Sequence, residues 1–247
     1  MVIAVTGKGG TGKTLIAGLL VRLLAKKYRV LAVDADPDAN LGEALGVESY
    51  KTLGEIREIF QHSRDDMISI NKESWLEGKI YGEVIYEAED FDLLVMGRPE
   101  GEGCYCFANN LLRAVLRKLM RHYDVIIVDC EAGLEHISRR TIDGADIILI
   151  VTDASRKGLM TAKRIRELAE ELNLRARIYL IANRVEGSAV QAIEEFAKIE
   201  GFSLLDIIPP DEEVTKADIA GVPVPLSSEV AKKVEKLAEV LVCEANS

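Results

Sequence analysis

Cysteine is scarce in this chain, with four residues among 247. So few thiols cannot make a disulfide framework, and their number fits a reducing compartment. The first ten residues have neither a basic n-region nor a small-residue cleavage site, so no cleaved leader is expected and the predicted location is cytoplasmic. No run approaches the ~18 consecutive apolar residues of a membrane helix. Proline is also rare, at six residues. No Pro/Gly/Ser-rich linker divides the chain and no repeat of fixed period is visible, so one domain over residues 1–247 is expected. Positive charge is in deficit: 31 Lys and Arg stand against 41 Asp and Glu, a net charge of −10. That balance argues against nucleic acid as a partner. What remains is 48% hydrophobic and 29% charged residues, the composition of a globular protein. A chain of this length buries roughly 70–75% of its unfolded surface, enough for a large core.

Short apolar runs recur at residues 2–6, 30–34, 92–96, 125–129, 147–151, 178–182 and 204–208. Most are near-continuous Val, Ile and Leu without alternation, as in parallel strands covered on both faces. Amphipathic helical patterns lie between them at 15–28, 109–122, 157–172, 189–199 and 229–242. In the first of these, Leu15, Leu19, Val21, Leu23 and Leu24 are expected to face a core. Strand–helix alternation predicts an α/β fold, a mostly parallel central sheet flanked by helices on both faces. Two segments break the rhythm. Residues 48–90 are long, charged and only partly periodic, and residues 97–108 form a Gly-rich loop directly after a strand. Loops past the C-terminal ends of parallel strands are where ligands bind.

Gly7-Lys8-Gly9-Gly10-Thr11-Gly12-Lys13-Thr14 satisfies G-x-x-x-x-G-K-[ST] between a strand and a helix, the context a phosphate loop requires. Gly9, Gly10, Thr11 and Gly12 would wrap backbone N–H groups around phosphate oxygens, helped by the N-terminus of the following helix. Lys13 would reach the β- and γ-phosphates of ATP, and the Thr14 hydroxyl would ligate Mg²⁺. A second lysine in the loop, Lys8, needs a reason of its own. This K-G-G-x-G-K-T form resembles the deviant Walker A loop of the MinD, ParA and nitrogenase iron protein superfamily. The resemblance implies a P-loop ATPase of MinD-like fold. It also implies a homodimer in which Lys8 crosses to the partner's nucleotide.

Other segments extend the likeness. Residues 33–40, Val-Asp-Ala-Asp-Pro-Asp-Ala-Asn, resemble switch I. By position, Asp36 would orient or deprotonate the attacking water, and Asp38 or Asn40 would lie near Mg²⁺. Asp34 is open between a structural role and a share in that chemistry. Residues 125–129 resemble a Walker B strand whose Asp129 binds Mg²⁺, and 130–133 resemble the start of switch II. Asn183 and Arg184 resemble an adenine-reading pair, with Asn183 offering a donor and an acceptor. Pro209, Pro210 and Asp211 would line the base pocket, although Asp211 also suits a helix N-cap.

Cys104-Tyr105-Cys106 lies in the Gly-rich loop. In an extended segment residues i and i+2 point to one side, so both thiolates could meet one ion. A tetrahedral soft-metal site wants four ligands, which a two-fold axis would supply as two from each subunit. Ni²⁺ and Zn²⁺ both suit thiolates. The run Gly101-Glu-Gly-Cys-Tyr-Cys, the segment 132–139 and the block from Lys8 to Asn40 resemble CooC-type accessory ATPases of carbon monoxide dehydrogenase. That resemblance implies an ATP- and metal-dependent homodimer. In it, hydrolysis couples to a conformational change and to nickel delivery to a client such as carbon monoxide dehydrogenase. Cys130 is expected to be buried beside the Walker B strand, Cys243 to be inert, and His136 to pack at a helix start. Two other readings compete. One is a positioning ATPase of MinD or ParA type, but the chain's last residues lack a basic amphipathic anchor, so no membrane partner is expected. The other is an iron–sulfur electron carrier like the nitrogenase iron protein, whose cysteines come from two separate loops rather than one C-x-C.

Overall fold

Every apolar run of the sequence becomes a strand, and the strands assemble into one eight-stranded sheet. The computed structural model describes residues 1–55, 78, 80–97, 104–133, 142 and 144–245, with backbone only for 81, 104–111 and 245. The strands are β1 (Val2–Gly7), β2 (Val30–Asp34), β3 (Tyr86–Glu87), β4 (Phe91–Val95), β5 (Val125–Asp129), β6 (Ile147–Thr152), β7 (Arg177–Asn183) and β8 (Ser203–Ile208). Their order across the sheet is β3-β4-β2-β5-β1-β6-β7-β8. All neighbours pair in parallel except the two-residue edge strand β3, which runs antiparallel to β4.

Among the described residues the α-helices are α1 (Lys13–Leu24), α2 (Leu41–Leu45), α3 (Cys104–Leu119), α4 (Arg156–Glu171), α5 (Ala189–Glu200), α6 (Glu212–Ala220) and α7 (Glu229–Ala245), with a short π-helical turn at Ile80–Val84. Strands β1, β2, β5 and β6 are buried at every residue, because helices cover both faces of the sheet. Alternate strand residues feed two separate cores. Val2, Ala4, Leu31, Val33, Ile126 and Val128 pack with Leu112, Leu116 and Leu119 of α3 and Ile165 of α4. Ile3, Val5, Val30, Ala32, Val125 and Ile127 pack with Leu20 of α1 and Val234, Leu237 and Leu241 of α7. Each fully buried Val, Leu or Ile among them contributes about 1.5–3 kcal/mol. The expected mostly parallel sheet with helices on both faces is therefore the observed one.

Three details differ from the pattern reading. Helices α2 and α6 and the strand β3 are too short to give a readable period. Leu15 packs against the second core as expected but is only partly buried, and it also faces the cleft described below. Helix α3 begins at Cys104 rather than near residue 109, so the cysteine pair opens a helix instead of lying in an extended segment. Positions two apart in a helix do not share a face, which removes the geometric premise for joining them within one chain.

Candidate functional site

β1 sits between β5 and β6, so its C-terminal end opens at the place where chain connections diverge to the two sides of the sheet. This is the crevice where open α/β sheets bind ligands. The loop 7–14 leaves β1 there and runs straight into α1. Gly12, at φ 93°, takes the N-cap position. Thr11 is buried and its hydroxyl donates to the Lys8 carbonyl at 2.8 Å. Lys13 is buried too, with Nζ reaching the same carbonyl at 3.4 Å. The lysine is thus folded over its own loop, in reach of whatever anion the loop encloses. Gly9 and Gly10 are exposed on the open side of the loop.

Asp129 ends β5 beside the loop. Its Oδ2 accepts the Thr14 hydroxyl at 2.6 Å, while Oδ1 is buried with no hydrogen-bond partner among the described residues. Burial pushes its pKa up to about 7, against the pull of the Thr14 hydroxyl and the Lys13 charge. A buried carboxylate oxygen without a partner, next to a hydroxyl, is the oxygen donor set that Mg²⁺ takes. Thr14 and Asp129 therefore fit the ion expected of them.

Asp34 ends the neighbouring strand β2, in register with Asp129. It is fully buried, and both of its oxygens are engaged by backbone: Oδ1 by the Asp36 N–H at 3.0 Å and Oδ2 by the Leu41 N–H at 2.8 Å. Burial, together with the Asp129 charge, raises its pKa to about 8, with the two backbone bonds acting in opposition. Of the two roles left open for Asp34, this geometry carries the structural one: it ties down both ends of the turn that bears Asp36. Asp36 is half-buried and its Oδ1 accepts the Asp38 N–H at 3.0 Å, while Asp38 and Asn40 are exposed. On the other flank, the Gly133 N–H donates to the Gly7 carbonyl at 3.0 Å, so the start of the second switch leans on the phosphate loop. His136 lies outside the described residues.

Lys8 meets a partner that the sequence reading missed. Its Nζ lies 2.9 Å from Asp153 Oδ2 and 3.5 Å from Ser155 Oγ of its own chain. Burial tends to raise the Asp153 pKa, but hydrogen bonds from Ser155 and Lys8 hold it below the usual carboxylate value. Ser155 is also the N-cap of α4, accepting from the Gly158 N–H. An Asp-x-Ser placed directly after a strand and before an amphipathic helix is a cap signal that could have flagged the pair.

Asn183 and Arg184 close the other side. Asn183 is buried, and its Nδ2 donates to the Thr11 carbonyl at 2.8 Å, so its donor half braces the phosphate loop. Arg184 reaches the Gly10 carbonyl at 3.5 Å. Pro209, Pro210 and Asp211 follow β8, and Asp211 does cap α6, accepting from the Glu213 N–H at 2.9 Å. Its second oxygen accepts from the Val230 N–H at 3.0 Å, joining the starts of α6 and α7. A single cleft of about 930 Å³ brings together Gly10, Gly12, Lys13, Thr14, Asn183, Arg184 and residues 209–211. That volume holds a nucleotide comfortably.

The cysteines separate. Cys130 is buried, and burial first, then the Asp129 charge, drives its thiol pKa strongly upward, away from thiolate chemistry. Cys243 is exposed on α7. Cys104 and Cys106 are placed as backbone only, and residues 98–103 before them lie outside the described residues. Among the described residues no group of three or more His, Cys, Asp or Glu is placed to hold a metal, and no helix is long and apolar enough to cross a membrane.

Comparison with known proteins adds to this geometry. The chain is 46% identical over 250 residues to an uncharacterized ATP-binding protein of Methanocaldococcus jannaschii, covering 98% of each chain. It is 36% identical over 234 residues to the carbon monoxide dehydrogenase accessory protein CooC of Rhodospirillum rubrum, covering 90% of this chain and 88% of the relative. It superposes with a TM-score of 0.72 and 25% identity on the septum site-determining protein MinD of Pyrococcus horikoshii complexed with Mg-ADP, over 97% of this chain and 94% of the other. Residues 2–224 match the CobQ/CobB/MinD/ParA nucleotide binding domain, and the chain belongs to that family.

Proposed function

We propose that this protein is a dimerising ATPase that delivers nickel to a client enzyme such as carbon monoxide dehydrogenase. The observation that carries the ATPase part is that Lys13, Thr14 and Asn40 line one cleft, with Asp129 bonded to Thr14 and Asp34 anchoring the turn that leads to Asn40. The accessory role rests on the likeness to CooC along most of the chain and on the Cys104-Tyr105-Cys106 sequence.

In this reading the backbone N–H groups of the loop grip the phosphates, and Lys13 swings from the Lys8 carbonyl onto them. Thr14 and Asp129 would hold Mg²⁺, which when bound would supply charge neutralisation for phosphoryl transfer. Asp36 orients the attacking water. Little covalent help is needed, because phosphoryl transfer depends mainly on positioning and charge stabilisation. Lys8 must leave Asp153 to reach a partner's phosphates, so ATP-driven dimerisation exchanges one ion pair for another. Cys104 and Cys106 of two subunits would together supply four thiolates to the delivered ion. Because α3 opens at Cys104, bringing both thiolates of each chain to one ion would require the first turn of α3 to rearrange.

The test combines metal titration with mass determination in the nucleotide-free, ADP and ATP states. Lys13→Ala should abolish hydrolysis. Lys8→Ala should weaken ATP-driven dimerisation while leaving nucleotide binding to the monomer largely intact. Cys104→Ala with Cys106→Ala should remove bound Ni²⁺ from the dimer; unchanged metal stoichiometry would show the interface site to be wrong. A second reading, a positioning ATPase, is favoured by the superposition on MinD. ATP-dependent binding to liposomes or DNA, with no Ni²⁺ uptake, would select it.

A further inference from the structure

We infer that Tyr50 is a positioning residue for ATP hydrolysis, holding the turn that carries Asp36 from outside. This rests on the hydrolysis reading given above. Asp34 secures the inner side of that turn, but its crest is Ala39, a non-glycine residue with φ 52°. Such a conformation persists only where neighbouring contacts impose it. One internal bond helps, from the Ala39 N–H to the Asp36 carbonyl at 3.1 Å. The Ala39 carbonyl is taken by the Tyr50 hydroxyl, which donates to it at 3.0 Å across eleven residues of sequence.

The tyrosine is well placed to act as a clamp. Its ring lies so close to Gly42 that a Cβ there would come within 2.3 Å of Cε1, so ring and helix α2 are in intimate contact. The chain just beyond it is fastened to the sheet rather than to the turn. Thr52 bridges in parallel to Val95, and the Gly54 N–H donates to the Met96 carbonyl at 3.0 Å. Thr52 and Glu55 also exchange hydrogen bonds, Thr52 N–H to Glu55 Oε2 at 3.1 Å and Glu55 N–H to Thr52 Oγ1 at 3.3 Å. Tyr50 therefore transmits the position of β4 to Ala39, and Asp36 sits between two fixed points, Asp34 on β2 and Ala39 under Tyr50. Without the hydroxyl, Ala39 is free to relax to negative φ and carry Asp36 away from its water. Positional errors of about 1 Å can cost up to a hundredfold in rate.

Tyr50→Phe removes the hydroxyl and keeps the ring against Gly42. With the full chain, steady-state ATP hydrolysis should show kcat reduced about tenfold with KM within about twofold, as expected for lost positioning rather than lost binding. Mg-ADP affinity by calorimetry should stay within the same twofold. Hydrogen exchange of the amides at 35–42 should quicken. Wild-type turnover with unchanged kcat in Tyr50→Phe would overturn the role of Tyr50 alone. A fall in kcat matched by equal losses of nucleotide affinity and melting temperature would also overturn it, in favour of a merely structural contact. A wild-type chain that binds Mg-ATP without turnover would overturn the hydrolysis reading itself, and the positioning role with it.

Discussion

Gly12→Ala is the perturbation whose consequences the structure defines most fully. Gly12 has φ 93°, and a Cβ built on it would stand 2.3 Å from Nδ2 of Asn183. An alanine in that backbone region costs about 1–2 kcal/mol. The collision adds a second cost, because Asn183 is buried and its Nδ2 is bonded to the Thr11 carbonyl at 2.8 Å. Pushing the amide aside leaves a buried donor and acceptor unmatched, at about 1–3 kcal/mol. The variant should lose about 2–5 kcal/mol, a large share of a typical stability of about 5–15 kcal/mol. Urea unfolding of the nucleotide-free protein measures this directly. A double-mutant cycle isolates the collision: Asn183→Ala alone also destabilises, but with alanine at position 183 the added Cβ has room. The pair should therefore be at least about 1 kcal/mol more stable than the sum of the single losses. Strict additivity would refute the claim that Asn183 braces the loop against Gly12, and a Gly12→Ala protein of wild-type stability would refute the strain argument as well.

Two further outcomes follow from the same site. Asp34 and Asp129 keep protons in the folded state, with pKa values near 8 and 7 against an ordinary 3.8, so the folded chain binds more protons than the unfolded one between these values. The stability they confer is complete below the ordinary value and disappears as pH rises through about 7 to 8. Melting temperature in chelator should fall from pH 6 to 8.5, less steeply in Asp129→Asn, and a flat profile would contradict the assignment. Asp211→Ala should cost about 2–3 kcal/mol in urea unfolding, since it strips a cap from α6 and a partner from the Val230 N–H. A loss under about 0.5 kcal/mol would show that the two helix starts do not depend on it.

The sheet is legible in the sequence because burial on both faces leaves the strands no polar positions to alternate. The phosphate loop, Asp129, Asn183 and residues 209–211 are legible because each ends or follows a strand; the loop, Asn183 and residues 209–211 line one cleft, and Asp129 joins it through Thr14. Asp153 escapes because its role is set by Lys8, 145 residues away. Tyr50 escapes for a similar reason: nothing local distinguishes a tyrosine in a charged loop until the fold lays it over Ala39. The cysteine pair misleads at one point. A Gly-rich run upstream suggests extended chain, yet Cys104 opens a helix of sixteen residues whose stability comes from Leu112, Val115, Leu116 and Leu119 packing well downstream.

Strand register fixes which residues stand level at the C-terminal ends of the central strands. Asp34 stands level with Asp129, Val5 with Asp129 and Gly7 with Val151, through unbroken pairing. One residue inserted in β2 or β5 would turn Asp34 or Asp129 to the opposite face of the sheet. At the sheet edge the constraint is already relaxed. Pairing of β7 with β8 passes from Leu180–Leu204 to Ile181–Asp206, so β8 carries an extra residue, Leu205, and still delivers residues 209–211 beside Asn183. The sheet thus holds strict register where Asp34 and Asp129 stand beside β1, and accommodates an extra residue at the edge that carries residues 209–211.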